Sequence, residues 1–333
     1  MCSERSGSNL ITKIFDSHPK VSGPSTSHIA DVILPNIHKY GNLRGSYWTQ
    51  LIIDILYLLE TKNAIWISEF TELELQSNIK EGNVAELFSY IYCKEARENN
   101  KEIVFIKENR IYEISQFLVE HYPNVDYLYM VRDPRDMAAS WKNSHAIRGG
   151  VVRASRVWLR DQIGFLRMRA WLKNNDRIPF FKYEKLLTCP KSTLRKVCAL
   201  LNINYHDEML DFHLKQETID NSQAAADWRN IALPIMTDNI GKFESQLSED
   251  ELLYVESVCY QYMQSLGYKR KNLKVLHEHD LQALEDKLLS LEQGEKENYK
   301  LVSLKEKQRR EKHYQYSVDI RQQNFTISGL LNE

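Results

Sequence analysis

What this sequence lacks narrows it before any motif is found. Its five cysteines (Cys2, Cys93, Cys189, Cys198, Cys259) are scattered over 333 residues with no CxxC pair, which excludes a disulfide framework and the usual spacing of a zinc site. We expect free thiols in a reducing compartment. No apolar run is long enough to cross a bilayer: the most hydrophobic window, LIIDILYLLE from Leu51 to Glu60, is short and contains Asp54, and no apolar leader-like stretch opens the chain. Charge of one sign is lacking too. The 44 Lys and Arg against 45 Asp and Glu leave a formal net charge of -1, so no global field draws the chain to nucleic acid or to an acidic membrane. We expect a soluble cytoplasmic protein with neither as partner, and any anion site in it must be local.

What is present is an ordinary globular balance, 43% hydrophobic and 27% charged. Short apolar runs, IVFI (Ile103 to Ile106), DYLYMV (Asp126 to Val131) and IPFFKY (Ile178 to Tyr183), are each followed by a helix-like stretch. This alternation predicts an α/β domain over residues 1–270, with a central, mainly parallel sheet flanked by helices. Ligands of such sheets bind at the carboxyl ends of the strands. From Leu273 the composition shifts to Glu, Lys, Gln and Leu, with Leu281, Leu284, Leu288 and Leu291 at spacings of three and four. Residues 271–333 therefore read as a helical tail with a narrow apolar seam, a coiled coil that would join two copies or a solvated helix folded against its own domain. Gly294 interrupts the seam.

The chemistry begins near the first residue. In SERSGSNLITKIFDSHP a glycine turn feeds a helix whose apolar face is Leu10, Ile11, Ile14 and Phe15 and which stops before Pro19. Unpaired backbone N–H groups and the helix dipole make such a start a phosphate site. Ser6, Ser8 and Asn9 add side-chain donors around Gly7, and Arg5 adds a full charge with a bidentate fork. The stretch is not a Walker loop, since no Gly-Lys-Ser/Thr closes it.

A second element follows the strand DYLYMV. In RDPRDMAAS, Arg132 stands at the strand's carboxyl end, Asp133 reads as an N-cap with Pro134 at the first helical position, and Asp136 would complete an acidic capping box. Ser140, two turns along, would share a second phosphate with Arg132.

RSGSNL and VRDPRDMAAS together resemble the 5′-phosphosulfate loop and the 3′-phosphate motif of the PAPS-dependent sulfotransferase family. Two further stretches are similar to family landmarks: FFKYEKLLTCPKSTLRKVCALLNI, and NIGKFESQLSEDELLYVESVCYQYMQSLGY with its Leu-Gly-Tyr end. The resemblance runs from about Ser3 to Tyr268 and implies a P-loop-like sulfotransferase fold. It implies PAPS as co-substrate and PAP as product, held by Arg5, Ser6, Gly7, Ser8, Asn9, Leu10, Arg132, Ser140, Tyr183 and Lys242. No metal is expected: two separate phosphates ask for two anion sites, not one cradle with Mg²⁺.

In-line sulfuryl transfer builds charge on the bridging oxygen, best met by a preplaced cation. The resemblance gives that role to Arg5, with Lys107 of FIKENR in an assisting position. It also implies a glutamate base in a P-x-E-x-H segment. Here that segment reads Pro24-Ser25-Thr26-Ser27-His28, which leaves His28 as the candidate base and Glu108 as its runner-up. His18 of DSHP reads as a packing residue. The family loop follows a buried first strand, and only four residues precede Arg5, so we expect that strand to be truncated. The function expected is transfer of a sulfuryl group to a hydroxyl or amine of a small-molecule or glycan acceptor. The alternatives are a non-catalytic or nucleotide-binding member acting in assembly, and a small-molecule kinase.

Overall fold

The computed structural model describes residues 1–172, 177–272, 274, 276–294 and 296–322. Leu273, where the tail pattern opens, lies outside the described residues. The chain runs α1 (Ser8–Asp16), β1 (Val21–Ser22), α2 (Ile29–Ile33), α3 (Ser46–Thr61), α4 (Glu72–Asn78), α5 (Val84–Glu98), β2 (Ile103–Val104), α6 (Ser115–His121), β3 (Tyr129–Val131) and α7 (Pro134–Lys142). It continues through α8 (Val151–Trp171), β4 (Phe180–Lys182), α9 (Tyr183–Thr188), α10 (Pro190–Leu200), α11 (Gln216–Ala224), α12 (Phe243–Gln246), α13 (Glu249–Ser265), α14 (Glu278–Leu291), α15 (Glu297–Lys300) and α16 (Leu304–Gln322). The chain divides into two compact units. The first is Met1–Ser8, Asn124–Leu210 and Leu233–Val302; the second is Asn9–Pro123, Asp211–Ala232 and the chain from Ser303 on.

In the first unit β3 pairs with β4 in parallel, Tyr129 opposite Phe180 and Val131 opposite Lys182. Met1 extends this ladder on the other side of β3: its amino group donates to Leu128 O, and its carbonyl accepts from Met130 N–H at 3.0 Å. Helices α7, α8 and α13 close over the strands, burying Met137, Trp141, Trp158, Phe165 and Met263. Helix α14 packs on α8 and α13 within the same unit. There Leu288 is buried while Leu291 is 72% exposed, so one member of the leucine seam is already covered by the chain itself. The helix ends before Gly294, whose φ of 97° is left-handed.

In the second unit β1 and β2 pair in parallel, Val21 opposite Ile103. Helices α2, α3 and α5 bury a core that includes Ile33, Trp48, Leu58, Leu87 and Ile91, and α16 adds Ile320 to it. The architecture is thus α/β with parallel pairing, but the single central sheet expected from the sequence is, among the described residues, two separate two-stranded sheets. Both first strands are cut short by the chain that follows, Gly23-Pro24 after β1 and Asp133-Pro134 after β3, where proline removes a ladder donor.

Candidate functional site

The loop ahead of α1 is shaped by two left-handed residues, Arg5 with φ 62° and Gly7 with φ 87°, and by a Ser6 N–H to Ser3 O bond of 3.2 Å. Glycine is required at position 7. A Cβ there would meet the Tyr183 ring at 2.3 Å, so the bare Cα is what lets the ring approach the loop. Ser8 is buried as the first residue of α1, and Asn9 and Leu10, half-buried, are the next two.

Arg132 comes off the end of β3 and gathers the rest of the first unit's polar cluster. Its two terminal nitrogens donate to Arg5 O at 2.8 Å and to Asn239 O at 2.9 Å, and its guanidinium lies 4.7 Å from the centre of the Tyr183 ring. Two of its five N–H groups are thereby used. Its Nε is buried with no hydrogen-bond partner among the described residues, and so is Ser6 Oγ. Arg5 turns its Nε to Ser140 Oγ at 3.1 Å. The structure therefore brings Arg5, Ser6, Gly7, Arg132, Ser140 and Tyr183 into one cluster, and it joins through the Arg5 to Ser140 bond two groups that the sequence assigned to separate phosphates.

Three supports of this cluster were hidden in the sequence. Asp133 does cap α7, accepting from Arg135 N–H at 2.9 Å, but its carboxylate also grips the Arg135 guanidinium, which reaches Glu256 at 2.7 Å on the other side. The Asp133 N–H in turn donates to Glu184 at 2.9 Å, tying the end of β3 to the residue after Tyr183. Asp136 does not complete a capping box. Its two oxygens accept from Gly241 N–H (2.8 Å) and Phe243 N–H (3.1 Å), because those orphan donors at the start of α12 offer a buried carboxylate more than its own helix does. Lys242 is half-buried at the centre of the turn so held, and Asn239 at its start is the residue Arg132 grips. Burial raises the Asp136 pKa.

The second unit holds a different polar cluster. Glu108 is 8% exposed; its Oε1 accepts from Tyr92 OH (3.1 Å), Ser27 Oγ (3.2 Å) and His28 N–H (3.2 Å). Its Oε2 is buried with no partner among the described residues. Burial, reinforced by the nearby Asp31 charge, pushes its pKa up to about 7. His28 sits at the N-terminus of α2 in a left-handed conformation, φ 65°. Desolvation, with the charge of Lys107 near, holds the imidazole well below its usual pKa. The Lys107 ammonium donates to Asn109 Oδ1 at 2.8 Å, and Thr26 Oγ1 is buried without a partner among the described residues. His18 is buried and accepts from Lys20 N–H at 3.0 Å.

Tyr92, Asp31 and His313 carry no sequence signal for this cluster. They reach it from α5, α2 and α16, helices far apart in the chain that only folding brings together.

The first unit thus combines a glycine turn opening a helix, two buried polar atoms without partners among the described residues, and an arginine at a strand end that grips the loop. The sequence profile of the Sulfotransferase family matches residues 1–207, more than half of the chain, and the chain belongs to that family. It is similar to a protein-tyrosine sulfotransferase of Drosophila melanogaster, 23% identical over 255 residues, which cover 74% of this chain and 46% of that protein. The chain thus spans about half the length of that relative. A solved sulfotransferase domain from the curacin biosynthetic pathway superposes with a TM-score of 0.54 at 18% identity, over 81% of this chain and 96% of the domain. That likeness is one of fold.

Proposed function

We propose that this chain is a PAPS-dependent sulfotransferase acting on a hydroxyl acceptor, without a metal. The observation that carries the reading is the pair of orphaned buried donors, Ser6 Oγ and Arg132 Nε, in the cluster built around Gly7 and the Arg5 to Ser140 bond. Buried donors without partners are costly in a protein and are matched by the oxygens of a phosphate or phosphosulfate. PAPS supplies, when bound, an activated sulfuryl group. The residues for its anions are Arg5, Ser6, Gly7 and Ser8 with Asn9 and Leu10 behind them, and Arg132, Ser140 and Lys242, with the Tyr183 ring as an aromatic surface for the base. Arg5 and Lys107 are the cations for charge developing in transfer.

In the reaction the acceptor oxygen bonds to sulfur, the bond from sulfur to the bridging phosphate oxygen breaks, and PAP leaves. The hydroxyl proton goes to Glu108 Oε2. Between the two candidate bases the choice is physical: a carboxyl raised to about 7 is matched to neutral pH, whereas an imidazole pushed well below its usual range is a weak proton acceptor. The acceptor is a carbohydrate or a phenol, the second because the Drosophila relative is described as acting on protein tyrosine.

The test is transfer of labelled sulfuryl from PAPS, without added metal, to lactose and to a tyrosine-containing peptide. Labelled product with either, lost in Glu108→Gln, supports the reading. PAP binding with no transfer to any hydroxyl would leave the non-catalytic alternative in its place.

A further inference from the structure

Helix α16 lies beyond the stretch the family profile covers, and in the second unit it is bolted to the elements that carry Glu108 and His28. The Tyr316 ring stacks on Tyr57 with centroids 3.9 Å apart, and its hydroxyl donates to Asp54 at 2.9 Å. Lys39 donates to the last carbonyls of the helix, those of Ile320 (2.9 Å) and Arg321, as cations do at a helix C-terminus. Arg321 stands 3.6 Å from Asp31, and Arg110, two residues after Glu108, pairs with the same carboxylate at 2.8 Å. One acidic side chain thus links the helix to the Glu108 loop.

His313 faces the candidate base segment from this helix, its ring centroid 6.3 Å from that of His28. Its Nδ1 is 3.0 Å from Thr61 Oγ1, and the Thr61 hydroxyl donates its proton to Tyr57 O at 2.8 Å. A hydroxyl has one proton. Thr61 must therefore accept, His313 must carry its hydrogen on Nδ1, and its Nε2 is left as an acceptor. Burial beside Arg321 and Lys62 keeps this imidazole neutral, its pKa lowered to about 4.

We propose that α16 is part of the acceptor side of the catalytic site, with His313 a positioning residue that fixes the His28 ring and, through the His28 N–H, the Glu108 carboxyl. The inference rests on the sulfotransferase reading. It makes the tail of this chain a component of catalysis as well as any surface for assembly.

The experiment compares the full chain with His313→Ala, His313→Asn and Tyr316→Phe, reading PAP affinity by calorimetry and PAPS turnover with lactose and the tyrosine peptide. His313→Ala should lower kcat by up to about 100-fold, the scale of a catalytic group misplaced by about 1 Å, with PAP affinity and the KM for PAPS within about twofold. His313→Asn, whose amide still donates to Thr61, should recover most of the loss, and Tyr316→Phe should stay near the parent. Parent-like turnover in His313→Ala would overturn the inference and leave the sulfotransferase reading standing. An equal fall in His313→Ala and Tyr316→Phe would also overturn it, since α16 would then only hold the fold. Failure of the parent chain to bind PAP would remove the reading beneath it.

Discussion

Arg132 and Glu108 are about equally buried, 6% and 8% exposed, and the chain treats their charges in opposite ways. A guanidinium cannot shed its proton inside a protein, so Arg132 is given two carbonyl oxygens and the face of Tyr183. Glu108 can lose its charge. It receives three donors on one oxygen and, among the described residues, none on the other, and burial moves it to the middle of the neutral range. A fixed cation suits a ligand that is always an anion; a carboxyl poised near 7 suits a proton in transit. Their partners differ as well: Arg132 donates to two backbone carbonyls, whereas Glu108 accepts from two side-chain hydroxyls and one backbone N–H.

The largest expected effect separates the two most sharply. Glu108→Gln should lower kcat by roughly 10² to 10⁴, the usual worth of a general base, while PAP affinity stays within about twofold. The parent's rate should rise with pH as Glu108 ionises, with a midpoint near about 7, and the variant should lack that limb. The sign for stability is the reverse: the folded pKa lies above the ordinary carboxyl value of 4.5, the folded state holds the extra proton, and this group's contribution is lost as pH rises from about 4.5 through 7.

Next in size, Arg132→Ala should weaken PAP binding about 100-fold, from lost charged hydrogen bonds and the carbonyls left behind, without moving the pH midpoint of whatever turnover remains. Asp133→Ala should be felt as stability. It removes a helix cap and strips Arg135 of one of two buried carboxylates, a loss of about 3 kcal/mol by chemical denaturation. The smallest effect expected is that of Gly7→Ala, about 10-fold in PAP affinity from left-handed backbone strain and the Tyr183 contact. Tyr183→Ala in the same chain should not restore it, because the φ of 87° remains and the aromatic surface proposed for the base is lost.

The first cluster was more legible in the sequence than the second for a physical reason. Gly7, the Asp133 cap and Pro134 act on their immediate neighbours, so a short string of letters carries their meaning. The grip of Asp136 on residues 241–243 and of Arg135 on Glu256, and the approach of the His313 ring to that of His28, link distant parts of the chain and leave no local pattern. Strands β2, β3 and β4 were located by their apolar runs, but β1 (Val21–Ser22) and the pairing into two small sheets were not, because ladder length depends on where each partner turns away. The sequence named both His28 and Glu108 as candidates; the burial and the Asp31 charge on which the proposal prefers Glu108 are not visible in periodicity.

The central claim is that Arg5, Ser6, Arg132 and Ser140 form a site for the two anionic ends of a nucleotide. Calorimetric titration of the chain with PAP in metal-free buffer, beside Arg132→Ala, tests it most directly. The account predicts one binding event without Mg²⁺ that the substitution weakens about 100-fold. Absence of binding, or equal affinity in both chains, would contradict it.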